Sequence, residues 1–183
     1  MSDSRIPYVE PWLRGTHTDV PAAPRAVLHA LELALDDLKQ WTADLSDEEM
    51  RAHPLGLNSI AFLLRHIARS TDRILTYGEG NQLSAAQLAA YKAEQGAEQG
   101  AGQGEEGKRE TRAELMDEVE STFARAAERI RALATADLDT FRGVGRKNLP
   151  TSIGGAMLHV ADHTMRHVGQ VITTAKVLKA QRG

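Results

Sequence analysis

The chain has 183 residues, a net charge of −3 at pH 7 with histidine neutral, and no cysteine. Its 27 alanines and 20 leucines set against only eight aromatic residues favour helices and argue against an all-β sandwich or barrel. The absence of cysteine excludes disulfides, thiolate nucleophiles and Cys-type zinc sites, and the acidic balance disfavours a general nucleic-acid binder. No apolar run approaches the roughly 18 residues that a membrane span needs, and the start MSDSRIPYVEP lacks a signal-peptide core. A single helical domain over residues 1–183, cytoplasmic and without a membrane or nucleic-acid partner, is the expectation. Seven histidines are the main source of chemistry.

Residues 1–24 contain Pro7, Pro11, Pro21 and Pro24, and each proline fixes φ and removes a backbone donor. They read as an extended lead-in. Val27, Leu31, Leu35, Leu38 and Leu45 then recur at helical spacing, with Asp36, Asp37 and Lys39 between them, which predicts an amphipathic helix of about 20 residues. Ser46 and Glu49 have the spacing of a capping box ahead of His53-Pro54. Asn58 is the expected N-cap of a second long helix running to Tyr77, its apolar stripe formed by Ile60, Leu63, Leu64, Ile67, Thr71, Ile74 and Leu75. His66 lies at the rim of that stripe, and Gly78 and Gly80 end the helix.

Ser84 to Lys92 can form a short helix. Residues 93–110 then read as a flexible Gln/Gly/Glu-rich loop, because the degenerate AEQG-AEQG-AGQG-EEGK repeat of residues 93–108 has almost no apolar surface to offset its ordering entropy. A helical extension is the rival reading, since Ala, Glu and Gln are good helix formers. Thr111 and Glu114 form a second capping-box pair and open a third long helix with Leu115, Val119, Phe123, Ala126, Ile130 and Leu133 on one face. Residues 135–150 read as a loop, after which Thr151 or Ser152 caps a fourth helix reaching Lys179. Four helices of about 20 residues, each roughly 30 Å long, suit an all-α four-helix bundle. The long connection between the second and third permits those two to run parallel.

The chemistry lies in His159-Val-Ala-Asp-His163-Thr-Met-Arg-His167-Val-Gly-Gln170. Each step of four residues turns a helix by about 400°, so the three imidazoles share one face, each about 6 Å beyond the last. Histidines at i and i+4 can aim ring nitrogens at one ion, and His66 is the best candidate for a third ligand from another helix. Thr164 stands where a zincin protease carries its general-base glutamate, and neither G-x-S-x-G nor a phosphate-binding glycine loop is present. Gly154-Gly155 suggests close helix packing, or backbone N–H groups for an anion. Gly169 suggests close approach of a helix or ligand, and Gln170 a hydrogen bond to a metal-bound histidine, a water or a ligand. Asp162 reads as solvated, and His17, His29 and His53 as ordinary surface or core residues.

The segment Asn58-Ser-Ile-Ala-Phe-Leu-Leu-Arg-His66 and the stretch from His159 to Gln170, with its H-x-G-Q ending, resemble the second and fourth helices of the DinB/YfiT-like family of metalloenzymes. The lead-in Trp12-Leu-Arg-Gly-Thr16 is similar too, and the likeness covers nearly the whole chain outside residues 93–108. It implies a four-helix bundle of up-down-down-up topology and a divalent metal, zinc or nickel, held by His66, His163 and His167. His159 matches a further recurrent histidine of the family, and with Gln170 it is assigned to the surroundings of the metal. The family includes transferases and isomerases that use low-molecular-weight thiols. The resulting expectation is a metal-dependent enzyme acting on a small-molecule substrate, by thiol S-transfer or by hydrolysis. Without cysteine, any nucleophilic sulfur must come from a thiol cosubstrate. The rival is a non-catalytic metal-binding or structural bundle that buries an apolar face in a homodimer.

Overall fold

In the computed structural model, residues 8–98 and 110–182 are described, the side chains of 95–98 excepted. The chain is mostly helical with one small sheet. After a 3-10 turn at Pro11–Leu13 come α1 (Ala22–Thr42), α2 (Asp47–Arg51) and a second 3-10 turn at Pro54–Gly56. Then follow α3 (Ile60–Gly78), α4 (Ala85–Glu98), α5 (Arg112–Leu133), the hairpin β1 (Phe141–Val144) and β2 (Leu149–Ser152), and α6 (Ile153–Gln181).

The helix starts follow local chemistry. Ser46–Glu49 and Thr111–Glu114 both form complete capping boxes, at α2 and α5. Ser84 and Gln87 make the same reciprocal pair at the start of α4. Two boundaries differ from expectation. α1 begins at Ala22 and takes Pro24 into its first turn, where a missing N–H costs nothing, so the lead-in ends before residue 24. The cap of α3 is Ser59, whose hydroxyl accepts from Phe62 N–H, in place of Asn58, whose carbonyl instead accepts from Thr174 Oγ1.

The four long helices pack in a closed ring of neighbours, α1 against α6 and α5, and α3 against α5 and α6. Their apolar stripes meet in one core containing Leu38, Met50, Leu63, Leu64, Ile67, Leu75, Val119, Ile130 and Val160, each essentially inaccessible to solvent. Contacts along the seams record which ends meet. Arg65 pairs with Glu110, and Arg129 with Asp72 and Glu79, between α3 and α5. Lys179 pairs with Asp44 beyond the end of α1. Thr42 of α1 lies against Met116 of α5, and Gly78 at the end of α3 against Ala156 near the start of α6.

Two expectations are corrected. Residues 93–98 continue α4, so the loop reading fails there and the helical extension holds; residues 99–109 lie outside the described residues. The expected loop over 135–150 contains β1 and, with residues 151 and 152, β2, paired antiparallel from Phe141↔Ser152 to Val144↔Leu149. Four-residue strands with Gly143 and Pro150 facing each other carry little periodic signal. The tip Gly145-Arg-Lys-Asn148 closes through Asn148 N–H donating to Gly145 O, with positive φ at Gly145 (68°) and Asn148 (50°), conformations that these residue types tolerate.

Candidate metal centre

α3 carries its buried stripe through Leu63, Leu64 and Ile67, which leaves His66 on the flank facing α6. The Phe62 ring, one turn earlier, stacks on the His66 imidazole at 5.8 Å between centroids and fixes its plane. On α6 the buried positions around these histidines are Val160, Thr164, Val168 and Val171. His163 and His167 flank that stripe and face α3.

The start of α6 is held by its own packing. Ile153 N–H donates to Thr140 O, Gly154 N–H to Leu138 O at 2.8 Å, and Gly155 N–H to Ser152 Oγ. A Cβ on Gly154 would meet both Leu138 Cβ and Leu138 O at 3.2 Å. The glycines therefore serve close packing, and the anion-binding alternative falls because these N–H groups are already bonded. Gly169 is exposed, and a Cβ there would meet nothing within 4 Å among the described residues, so none of their helices approaches it closely.

His66, His163 and His167 each offer a ring nitrogen, and these nitrogens all lie within 4.8 Å of one another. His66 Nε2 and His163 Nε2 are 3.1 Å apart. Four ligands at 2.0–2.1 Å around a tetrahedral ion sit about 3.3 Å from each other, so this spacing fits a shared ion with little movement. The His66 and His167 rings are 4.5 Å apart and the His163 and His167 rings 4.4 Å, both edge-on, which keeps the rings from blocking one another. Burial, followed by the neighbouring His167, His66 and His159, pushes the His163 imidazole down to about 4. At neutral pH it is uncharged, as a ligand must be.

Two neighbours bias which nitrogen faces the cluster. Gln170 Oε1 lies 2.7 Å from His167 Nδ1; an amide oxygen only accepts, so the His167 proton sits on Nδ1 and Nε2 carries the lone pair. Glu94 Oε2 lies 3.4 Å from His66 Nδ1 on the side away from His163. That distance suits an ion pair and is long for a hydrogen bond, and both atoms are buried without a hydrogen-bond partner among the described residues. Glu94 is also held by Arg73, whose Nη1 is 3.2 Å from Oε1 and whose Nη2 is 3.0 Å from Oε2. Burial alone would raise the Glu94 carboxyl, but the contacts from His66 and Arg73 outweigh it and hold the group below its usual range. An orphaned ring nitrogen opposite an ionised carboxylate, with an all-nitrogen donor set beyond it, is the arrangement that fits a divalent cation.

His159 stands apart. Its side chain is 51% exposed and pairs with Asp162, which also meets Arg166, so the structure places His159 beside the cluster, 5.3 Å from the His163 ring, and outside the converging set. Glu94 is the residue that sequence reading missed, because it sits in a repeat whose composition alone suggested a loop. A helix continued into the start of the repeat brings Tyr91 and Glu94 against Arg73, and no local pattern announces that.

A second group, His17, His29 and Glu32, also comes within 4.8 Å. Its hydrogen bonds set different roles. Arg131 Nη2 donates to His17 Nδ1 at 2.9 Å, so the His17 proton is on Nε2 and goes to Glu32 Oε1 at 2.7 Å. The nitrogen that an ion would need on that side is occupied by the proton. Together with the Thr16–His29 hydrogen bond, the group ties the N-terminal segment to α1 and α5. His53 is exposed, and its Nδ1 bonds within its own turn, at Leu57 O.

Beside His66 and His163 opens a cavity of about 630 Å³, bounded by α3, α6, the hairpin and Tyr91 of α4. Such a volume suits a small-molecule ligand. No helix among the described residues is long and apolar enough to cross a membrane. The family model that matches the chain is described as the DinB superfamily and covers residues 30–171. No curated protein matches the chain.

Proposed function

The chain belongs to the DinB superfamily, and on that premise we propose that it is a metal-dependent enzyme for a small-molecule substrate, with His66, His163 and His167 as the ligands of one divalent ion. The observation that carries this reading is the meeting of three histidine nitrogens from α3 and α6, with His66 and His163 lining the cavity. Zinc or nickel is the ion proposed, since both accept imidazole nitrogen and no thiolate competes for the site. The helix order is read as up-down-down-up, supported by the Arg65–Glu110, Lys179–Asp44 and Gly78–Ala156 contacts, each of which joins matching or opposite ends in that sense.

The bound ion would supply Lewis acidity and lower the pKa of a thiol or water at an open position. The chain's own residues prepare the site. Gln170 holds the proton of His167 on Nδ1. Glu94 faces His66 Nδ1 and draws its proton to that side. Burial keeps His163 neutral. The walls of the cavity, Ile74, Val144 and Ala156 among them, give an apolar surface on the side of the cluster where a substrate would lie. Among the described residues no aspartate or glutamate lines the cavity, so thiol transfer, in which the nucleophile needs only to be held as thiolate, is favoured over hydrolysis assisted by a carboxylate base.

The test is metal analysis of the purified protein and of His66→Ala, His163→Ala and His167→Ala variants. One equivalent of zinc or nickel in the native chain and a loss of at least tenfold in affinity in each variant are expected. A native protein that neither carries nor takes up a divalent ion ends the reading. Metal binding without consumption of any added thiol in the presence of electrophiles would leave hydrolysis as the reaction.

A further inference from the structure

The protein carries a net negative charge, yet the cavity beside the histidines is lined on the opposite pattern. Arg73, Arg146 and Lys147 border it, and no acidic residue does so among the described residues. Arg73 is neutralised by Glu94 and packs against the Tyr91 ring at 5.0 Å. Arg146 and Lys147 are different. They sit at the hairpin tip, exposed, and no carboxylate among the described residues pairs with either. The tip is held in place by the Gly145–Asn148 turn and by Arg142, whose Nε donates to Gly78 O at 2.7 Å and so fastens β1 to the end of α3. Apart from Ser70 and Thr151, the rest of the lining is mostly apolar or aromatic, with Ile74, Leu83, Val144, Leu149 and the rings of Tyr77 and Tyr91.

A largely apolar chamber bordered by two cations that pair with no carboxylate among the described residues selects by two separate forces. The walls reward an apolar body removed from water. The rim rewards one anionic group, held by charge-assisted hydrogen bonds. We propose that the cavity binds an amphiphilic organic anion, an apolar or aromatic body bearing one carboxylate, sulfonate or phosphate, with its anionic group on Arg146 and Lys147 and its opposite end at the histidines. The inference rests on the metal-centre reading only for what happens at the histidine end; the anion subsite stands on the hairpin and the chamber walls.

The experiment uses metal-free, EDTA-treated protein, so that it is independent of the metal. Two fluorescent probes share nearly the same aromatic body: 1-anilinonaphthalene-8-sulfonate, an anion, and N-phenyl-1-naphthylamine, which is neutral. The native chain binds the sulfonate saturably, and added salt weakens that binding. An Arg146→Gln/Lys147→Gln variant binds the sulfonate about tenfold more weakly, the range expected for lost charge-assisted bonds. The same variant leaves the neutral probe unchanged within about twofold, an uncharged ligand having no stake in the rim. Val144→Trp, which fills the chamber from the hairpin, abolishes binding of both probes, and helical circular dichroism checks that each variant is folded. Sulfonate binding that is absent in the native chain, unchanged in the double variant or retained in Val144→Trp overturns the proposal. Each of those results leaves the metal reading intact, whereas failure to take up metal leaves the anion subsite intact.

Discussion

Glu94 of α4 faces the Nδ1 of His66 of α3 at 3.4 Å, on the opposite side of the imidazole from the His163 nitrogen. The carboxylate is 8% exposed and is gripped by Arg73, so it can neither turn to solvent nor leave without stranding a buried guanidinium. A helix grown from a Gln/Gly/Glu repeat thus contributes the group that orients a histidine 28 positions earlier in the chain.

Replacing Glu94 with Gln is expected to weaken divalent-metal affinity about 10- to 100-fold while retaining one equivalent of binding, as for other partners of a ligating histidine. Calorimetric titration measures the affinity. Nitrogen-15 shifts of the His66 ring give a readout that needs no metal: the native protein carries the proton on Nδ1, and the variant shows a mixture of tautomers. Unchanged shifts and unchanged affinity would remove the positioning role.

The core makes a demand that no site chemistry alters. Leu64 is fully buried between the long helices, and Leu64→Ala is expected to cost about 2–5 kcal/mol, the transfer term plus the cavity left behind. Urea unfolding followed by circular dichroism checks it, with a lowered midpoint and an unchanged m-value as the expected pattern.

Gly154 predicts a second kind of cost. Its missing side chain lets Leu138 approach, and a Cβ would press on a backbone oxygen that cannot move freely. Gly154→Ala is therefore expected to destabilise by about 1–3 kcal/mol, against the gain that alanine usually brings to a helix. Gly169→Ala, with open space around the position, is expected to stabilise by up to about 1 kcal/mol. Opposite signs for the two variants in thermal melts are the result to look for.

The C-terminal end of α6 is anchored by Arg182, whose Nε is 2.6 Å from Glu49 Oε1. The hydrogen bond from Arg182, reinforced by those from Ser46, holds the Glu49 carboxyl at about 2 instead of 4.5. A depressed acid stabilises the fold while ionised, so this contribution is complete above about pH 4.5 and disappears as the pH falls towards 2. Glu49→Gln keeps a side chain able to close the capping box and removes only the charge. Its thermal midpoint is expected to lie slightly below the native one at pH 7, with a gap that narrows from pH 4.5 downward and shrinks in high salt because the pair is at the surface.

Much of this molecule is local and therefore legible in one dimension. The stripes of α1, α3, α5 and α6, the capping boxes at Ser46 and Thr111, and the shared face of His163 and His167 all follow from a repeat of 3.6 residues and from which side chains can reach a backbone N–H three positions on. His66 could be singled out as a rim residue for the same reason. Three other features could not. The distance from His66 to His163 depends on how α3 and α6 pack, and the seating of Glu94 on His66 depends on α4 folding back onto α3. The cavity exists because a hairpin of two four-residue strands is fastened by Arg142 to the end of α3. Each joins residues more than 25 positions apart, and such contacts are settled by packing and charge pairing across the whole core, which periodicity along the chain does not encode. The sequence by itself determined the helices, their inward faces and the cysteine-free donor set; only the tertiary structure decided which of the seven histidines meet and what surrounds them.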